Sequence, residues 1–296
     1  MTLFNHTTVG ARDLAEAQAF YDACLPELGL VRAYGDLEEG WIGYGPPGQA
    51  ILRGAGFWVC RPLDGAPASS GNGMTIAFVA PSRFAVRAFY AAALKAGGAC
   101  EGPPGLRAYH PDYYAAYLRD PTGNKLCAVI NRPAEPWDGL NHFFFGSGPE
   151  MATRLAALVV AGVKRATVGD GEGPPESAPG ERHVVVDGAR RPVCVIETLT
   201  YEKRRLCDID AAFAAEEGEG DGSLLFWRVA HRRWFEQPEN GGFSPDRAVW
   251  AETFRMVELI DPDFAAAAPA HVRAERAEAA AYIAAHARPD DHEWTR

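Results

Sequence analysis

The chain has 296 residues, 47% hydrophobic and 23% charged, with 39 acidic against 29 basic side chains and a formal net charge of -10. A chain of this length and apolar content exceeds the usual size of one domain, so two are expected. The acidic balance argues against nonspecific nucleic-acid binding, which draws its affinity from a basic face that neutralises phosphates. No apolar run is long enough to cross a bilayer, and Met1-Thr2-Leu3-Phe4-Asn5-His6 lacks both a basic n-region and an apolar h-region. A soluble cytoplasmic protein without a membrane partner is expected. The cysteines (Cys24, Cys60, Cys100, Cys127, Cys194, Cys207) include no C-x-x-C pair, which argues against a disulfide framework or a structural zinc site.

The first 133 residues read as one unit written twice. A strand-like run at 3–10 precedes a helix at 13–29, where Leu14, Ala17, Phe20, Tyr21 and Leu25 keep one apolar face. Asp13 suits its N-cap and Gly29 its stop. Strands follow at 31–35, 41–44 and 57–61. The pattern restarts with a strand at 74–79, a helix at 82–97 carrying Phe84, Val86, Phe89 and Leu94, and strands at 113–118 and 125–130. Asp120-Pro121-Thr122-Gly123-Asn124 between the last two is a tight turn. Each copy is βαβββ.

Prolines in Arg132-Pro133-Ala134-Glu135-Pro136 favour an extended spacer, so the chain is divided into a domain at 1–133, a linker at 134–139, a domain at 140–260 and a helical tail at 261–296. The second domain offers a helix at 149–162, strands near 183–187 and 193–199, an acidic loop, a helix at 223–235 and a strand at 249–259. An Ala-rich stretch at 269–287 reads as a surface helix.

Several of these residues resemble known families. Asn5-His6-Thr7-Thr8-Val9, Ala19-Phe20-Tyr21, Asn72-Gly73-Met74-Thr75-Ile76-Ala77-Phe78, and the stretch from Tyr114-Ala115-Ala116-Tyr117 to Asp120-Pro121-Thr122-Gly123-Asn124-Lys125 resemble the vicinal oxygen chelate superfamily. That group includes glyoxalases, bleomycin-resistance proteins and extradiol dioxygenases. The resemblance implies paired βαβββ modules forming a cupped sheet around a divalent metal, with homodimers among its members. His6 stands at the first ligand position, but the expected second histidine is Thr75 and the expected glutamate is Cys127, with Cys60 or Trp58 near the remaining one. Catalytic metals need about three ligands and an open position, so no cofactor is expected and His6 reads as either a surviving ligand or a strand histidine. Trp41, Tyr44, Trp58, Tyr113 and Tyr117 suit an aromatic ligand or ordinary packing, and His110 is equally open.

Residues 140–260 resemble the ASCH domain, a PUA-like β-barrel associated with RNA and nucleoside chemistry. The matching residues are Phe145-Gly146, Gly162-Val163-Lys164-Arg165-Ala166-Thr167, Pro192-Val193-Cys194-Val195-Ile196-Glu197-Thr198, the 216–227 stretch, His231, Trp234-Phe235 and Phe243-Ser244-Pro245-Asp246. The fold class expected is therefore α+β, a glyoxalase-like cupped sheet followed by a PUA-like barrel with flanking helices and a C-terminal helix.

The family's amidases, which hydrolyse N4-acetylcytidine, imply a Lys-x-x-Thr pair and an acidic-loop glutamate, falling on Lys164, Thr167 and Glu217. A threonine hydroxyl needs a base, and a lysine serves only if burial populates its neutral amine. Glu217 could orient that amine or protonate a leaving group, with its pKa raised by neighbouring Glu216 and Glu219. Arg165 is a candidate phosphate or ribose contact, Trp227 or Trp234 a stacking platform, and His231 a lining residue on their helix face. Glu197, inside an apolar run, is either a site residue or half of an ion pair. The bland readings are that Lys164 and Arg165 complement a helix dipole and that Asp221 caps the next helix in a solvated loop. The expected function is amide hydrolysis or RNA or nucleoside processing, against a metalloenzyme centred on His6 or a noncatalytic binder. The partners are a small molecule or nucleoside, with RNA and a homodimer left open.

Overall fold

Asp13 starts the first helix as its side chain predicts, its carboxylate accepting the backbone N–H groups of Ala15 and Glu16. In the computed structural model, which describes residues 5–48 and 56–294, β1 (His6–Gly10) feeds that helix, α1 (Leu14–Cys24). Leu3 and Phe4, expected to begin the strand, lie outside the described residues. The helix ends earlier than expected. Pro26 turns Leu25–Leu28 into a tighter 3-10 turn, and Gly29 stops it at φ 74°.

β2 (Val31–Asp36), β3 (Trp41–Gly45) and β4 (Gly56–Cys60) complete a four-stranded sheet in the order β1-β4-β3-β2. The second copy has β5 (Ile76–Val79), α2 (Arg83–Lys95), β6 (Ala99–Leu106), β7 (Tyr113–Arg119) and β8 (Lys125–Asn131), in the order β5-β8-β7-β6. β6 is hidden from the strand pattern because it contains Gly102-Pro103-Pro104-Gly105. It is an edge strand, where a missing N–H is tolerated.

Both helices and one face of each sheet share one core, with Phe20, Tyr21, Ile42, Val59, Val86, Phe89, Leu118 and Leu126 all fully buried. Each such side chain contributes about 1.5–3 kcal/mol. Phe57 meets Tyr21 and Phe78 with ring centroids 5.1 Å from each. Tyr44 belongs to this core too, donating its hydroxyl to Asp22 Oδ1 at 3.0 Å, and is therefore not on the opposite face with Trp41 and Trp58.

The chain divides into two units, Met1–Leu140 with Gly188–Arg191 and Asn141–Asp187 with Pro192–Arg296. The second unit is built on one five-stranded sheet, in the order β10-β13-β12-β11-β9, of β9 (Asn141–Phe143), β10 (Ala166–Asp170), β11 (Arg182–Val186), β12 (Pro192–Arg205) and β13 (Ala248–Leu259). It is not the closed barrel expected, since among the described residues β9 and β10 are unjoined edges.

Four helices surround it: α3 (Pro149–Val160), α4 (Ala211–Glu217), α5 (Leu224–Phe235) and α6 (Pro262–His286). Three expectations change here. The acidic stretch begins as α4, ending at left-handed Gly218 (φ 64°), and is not all loop. Ser223, rather than Asp221, caps α5 by accepting from Phe226 N–H. The tail helix starts seven residues before 269 and is not merely a surface helix, because it packs along α3 and buries Ala268, Glu275 and Ala279.

Candidate active site

α3 stops at Val160, and Gly162 (φ 72°) turns the chain so that the N–H groups of Val163 and Lys164 both donate to Leu158 O. Lys164 therefore lies beyond the helix and Thr167 already in β10, so the two are not placed by helical spacing. The turn sends the lysine inward. Its side chain is fully buried, with Nζ 2.6 Å from Glu219 Oε1 and 3.8 Å from Glu217 Oε1. Phe145 lies under the ammonium, 5.3 Å from the ring centroid.

A buried amine with two carboxylates is an electrostatic contest. Burial depresses the Lys164 pKa, but Glu219 and Glu217 outweigh it and hold the amine above the ordinary lysine value. That opposes the neutral lysine base expected from the sequence. Burial pushes the Glu217 carboxyl above the usual glutamate range despite the attraction of Lys164 and His231. For Glu219 the same burial is overcome by Lys164 and His231, and its pKa is lowered. The resting cluster is a Lys164–Glu219 ion pair beside a Glu217 that readily holds a proton. Glu216 has no part in it, pointing instead at Arg165.

α5 closes the cluster from the other side. The Trp227 indole N–H donates to Glu217 Oε2, and His231 stacks on that indole with centroids 4.0 Å apart and 22° between planes. His231 Nδ1 lies 2.8 Å from Trp227 O; a carbonyl only accepts, so Nδ1 carries hydrogen and Nε2 turns toward Glu217 Oε2 at 3.6 Å. Trp227 is buried and holds Glu217, so it is not a stacking platform; Trp234 is the tryptophan on the cavity wall.

The cavity has a volume of about 490 Å³, within the range of small-molecule sites. Phe143, Phe144, Trp234 and Tyr282 supply aromatic walls, and Thr167, Glu217, Glu219, His231 and Arg233 supply polar ones. A second cavity of about 240 Å³ shares Phe143, Thr167, Val168 and Gly169 with it. Thr167 thus borders both. The smaller cavity also holds Glu252, Ser177, His183, Tyr201 and Trp250, none of which stands out in the sequence motifs.

Two expected binding residues lie elsewhere. Arg165 is exposed and forms a two-pronged pair with Glu216, at 2.6 and 3.1 Å. Glu197 accepts from Arg182 and Arg255 at 3.0 and 2.6 Å, which hold its pKa low, so it is half of an ion-pair cluster away from both cavities. The signal that selected Glu197, an acid inside an apolar strand, applies equally to Glu252, between Ala251 and Phe254 on β13. That one is 2% exposed.

Comparison with known proteins agrees with this two-part construction. The Glyoxalase/Bleomycin resistance protein/Dioxygenase superfamily model matches residues 3–128 and the ASCH domain model residues 141–258. A glyoxalase/bleomycin resistance protein from Albidiferax ferrireducens T118 is 41% identical over 45% of this chain and 100% of its own, with a TM-score of 0.39. An ASCH domain from Lactobacillus crispatus JV V101 is 30% identical over 41% of this chain and 81% of its own, with a TM-score of 0.38. The chain belongs to both families. It carries a glyoxalase-superfamily domain followed by an ASCH domain. Protein EF3133 from Enterococcus faecalis V583 is 27% identical over 41% of this chain and 82% of its own, with a TM-score of 0.36. No curated protein matches.

The residues of the glyoxalase domain do not fit the metal that its superfamily implies. His6 is exposed, with Nδ1 2.9 Å from Asn5 Oδ1. Thr75 is exposed too, while Cys127 is fully buried with Ala115 and Val129 against Tyr117. Cys60 is four residues along β4 from Gly56, the partner of His6. Among the described residues no group of three or more His, Cys, Asp or Glu could hold a metal ion. His110 is exposed, its Nδ1 accepting from Asp112 N–H at 3.1 Å. No described helix is long and apolar enough to cross a membrane.

Proposed function

We propose that the ASCH domain hydrolyses the exocyclic amide of a modified pyrimidine nucleoside such as N4-acetylcytidine. The observation that carries this is the buried Lys164–Glu219–Glu217–His231 cluster opening beside Thr167 onto a cavity with aromatic walls. Trp234, Phe143 and Tyr282 suit the flat face of a base. Thr167 Oγ1 attacks the amide carbonyl, and Glu217 protonates the departing exocyclic nitrogen, a task for a carboxyl whose pKa lies above the usual range. Lys164 acts as a fixed cation beside Glu217 and Glu219, so that the proton changes hands near a balanced charge. Water then hydrolyses the threonine ester, with Glu217 taking its proton.

The purified chain is expected to release cytidine and acetate from N4-acetylcytidine, and Thr167→Ala to lower that rate on the order of 10³-fold or more. A wild-type protein without turnover on acylated pyrimidine nucleosides, or an undiminished T167A, sinks the reading.

For the glyoxalase domain we infer a metal-free binding role. Its support is the sheet faces opposite the core: on the first sheet Trp58 lies against Trp41 and Tyr34 (centroids 6.1 and 5.8 Å), and on the second Val79 is 83% exposed. Such faces suit an aromatic ligand or a second copy of the chain. Stoichiometric divalent metal in the purified protein would contradict this.

A further inference from the structure

The proposed reaction leaves one task unfilled. Thr167 needs a proton acceptor, and Lys164, bonded to Glu219 and held charged, is a poor one. Resting on the amide-hydrolase reading, we propose that Glu252 is the base that activates Thr167, held for that task by a chain of hydroxyls running from His183.

Register sets the pair. Thr167 on β10 stands directly opposite Glu252 on β13, so both side chains leave the same face, with Cβ atoms of such pairs about 4.5–5.5 Å apart. Both also line the smaller cavity. Among the described residues the Thr167 hydroxyl has no hydrogen-bond partner, and Glu252 uses only Oε1, accepting from Thr198 Oγ1 at 2.6 Å. Oε2 is left for Thr167.

The hydroxyl chain has one direction. Thr198 spends its only hydrogen on Glu252, so in the 2.8 Å contact between them Ser177 must donate to Thr198. Ser177 has then spent its own hydrogen, so in the 3.0 Å contact His183 Nε2–H must donate to Ser177 Oγ. Ser177, His183, Thr198 and Glu252 are all buried, which keeps water from competing for these bonds. The order His183→Ser177→Thr198→Glu252 places three successive donors behind Oε1 and fixes the rotamer of the acid.

The titratable or charged groups around Glu252 among the described residues are Lys164 on the turn before β10, Tyr201 on β12, Glu176 and His142 on the wall of the same cavity and, through the two hydroxyls, His183 on β11. Burial raises the Glu252 pKa above the ordinary glutamate value, against Thr198 and Lys164, which lower it. A stronger base than a solvated carboxylate results. In the step, the Thr167 O–H bond breaks and its proton moves to Glu252 Oε2. Oγ1 bonds the amide carbon, and the carbonyl π pair moves to oxygen. When water later cleaves the ester, Glu252 returns that proton to Thr167 Oγ1, leaving both residues as they began.

The test uses the full chain and p-nitrophenyl acetate as acyl donor, reading acetylation at Thr167 by peptide mapping against pH. Wild type is expected to acetylate faster as pH rises through one inflection above the ordinary carboxylate range. Glu252→Gln, close in shape, should slow it by on the order of 10²-fold or more and abolish the inflection. Thr198→Val removes the donor behind Oε1 and should move the inflection to higher pH. A purely structural role for Thr198 would leave the inflection where it is. Thr167 acetylated at the wild-type rate in E252Q, or an unmoved inflection in T198V, overturns this inference while leaving the hydrolase reading intact. A wild-type Thr167 that never acetylates overturns both. If E252Q does not fold, the T198V inflection decides alone.

Discussion

The two domains bury polar groups for opposite reasons. Among the described residues of the glyoxalase domain each such group bonds the backbone. Ser82 caps α2, and Asp120 accepts the N–H groups of Gly123 and Asn124 as well as the Tyr21 hydroxyl. Thr122 accepts from Arg12 N–H, and Asn124 donates to Gly10 O. All four serve the backbone. In the ASCH domain some buried charges are equally structural, such as the Arg232–Asp291 pair that fastens the chain's end to α5. Lys164, Glu217 and Glu252 are different: they stabilise no turn, they face one another or a cavity, and their pKa values move. A buried charge without a backbone duty marks the candidate site, and among the described residues the ASCH domain has it where the glyoxalase domain does not.

That contrast can be broken by experiment. Lys164→Met strands two carboxylates in the interior and should cost about 3–5 kcal/mol in chemical denaturation. Because Lys164 lowers the pKa of both glutamates, its loss raises their folded values above the unfolded ones. The variant should therefore regain stability as pH falls through the glutamate range and lose it as pH rises. A loss that is flat with pH would contradict the buried-charge account. Tyr21→Phe removes one neutral donor, at 2.7 Å, from Asp120, which keeps its backbone partners, and should cost about 1–3 kcal/mol without changing turnover. His6→Ala, at an exposed side chain, should shift stability by under about 0.5 kcal/mol and leave activity and metal content unchanged.

Much of this molecule was legible in its residues, and the failures have physical causes. Repeated apolar periodicity revealed the βαβββ pairs, and Asp13 and Ser82 cap their helices as short polar residues should. β6 was hidden because an edge strand can hold two prolines that a central strand cannot. The open sheet of the ASCH domain was read as a barrel because closure depends on whether β9 meets β10, which neither sequence encodes locally. At the site, motif spacing drew attention to Lys164, Thr167 and Glu217, and the fold brings Lys164 and Glu217 together with Thr167 on the wall of the same cavity. The charge states were not legible, since they depend on Glu219 and on burial. Glu252 escaped because its neighbours in space, Thr167, Thr198 and Ser177, come from three distant segments.

The C-terminal helix gives the acidic stretch its seat. Glu275 on α6 accepts the Gly220 N–H at 3.0 Å and Arg154 at 2.6 Å, while Tyr282 completes the wall of the larger cavity. The ASCH family match ends at residue 258, before either of them. Lifted out as a portable cassette, residues 141–258 would carry the acids of the site without the scaffold on which they rest. For this chain the candidate site extends beyond the family's outline, and any transplant or shuffling of the domain has to take α6 with it.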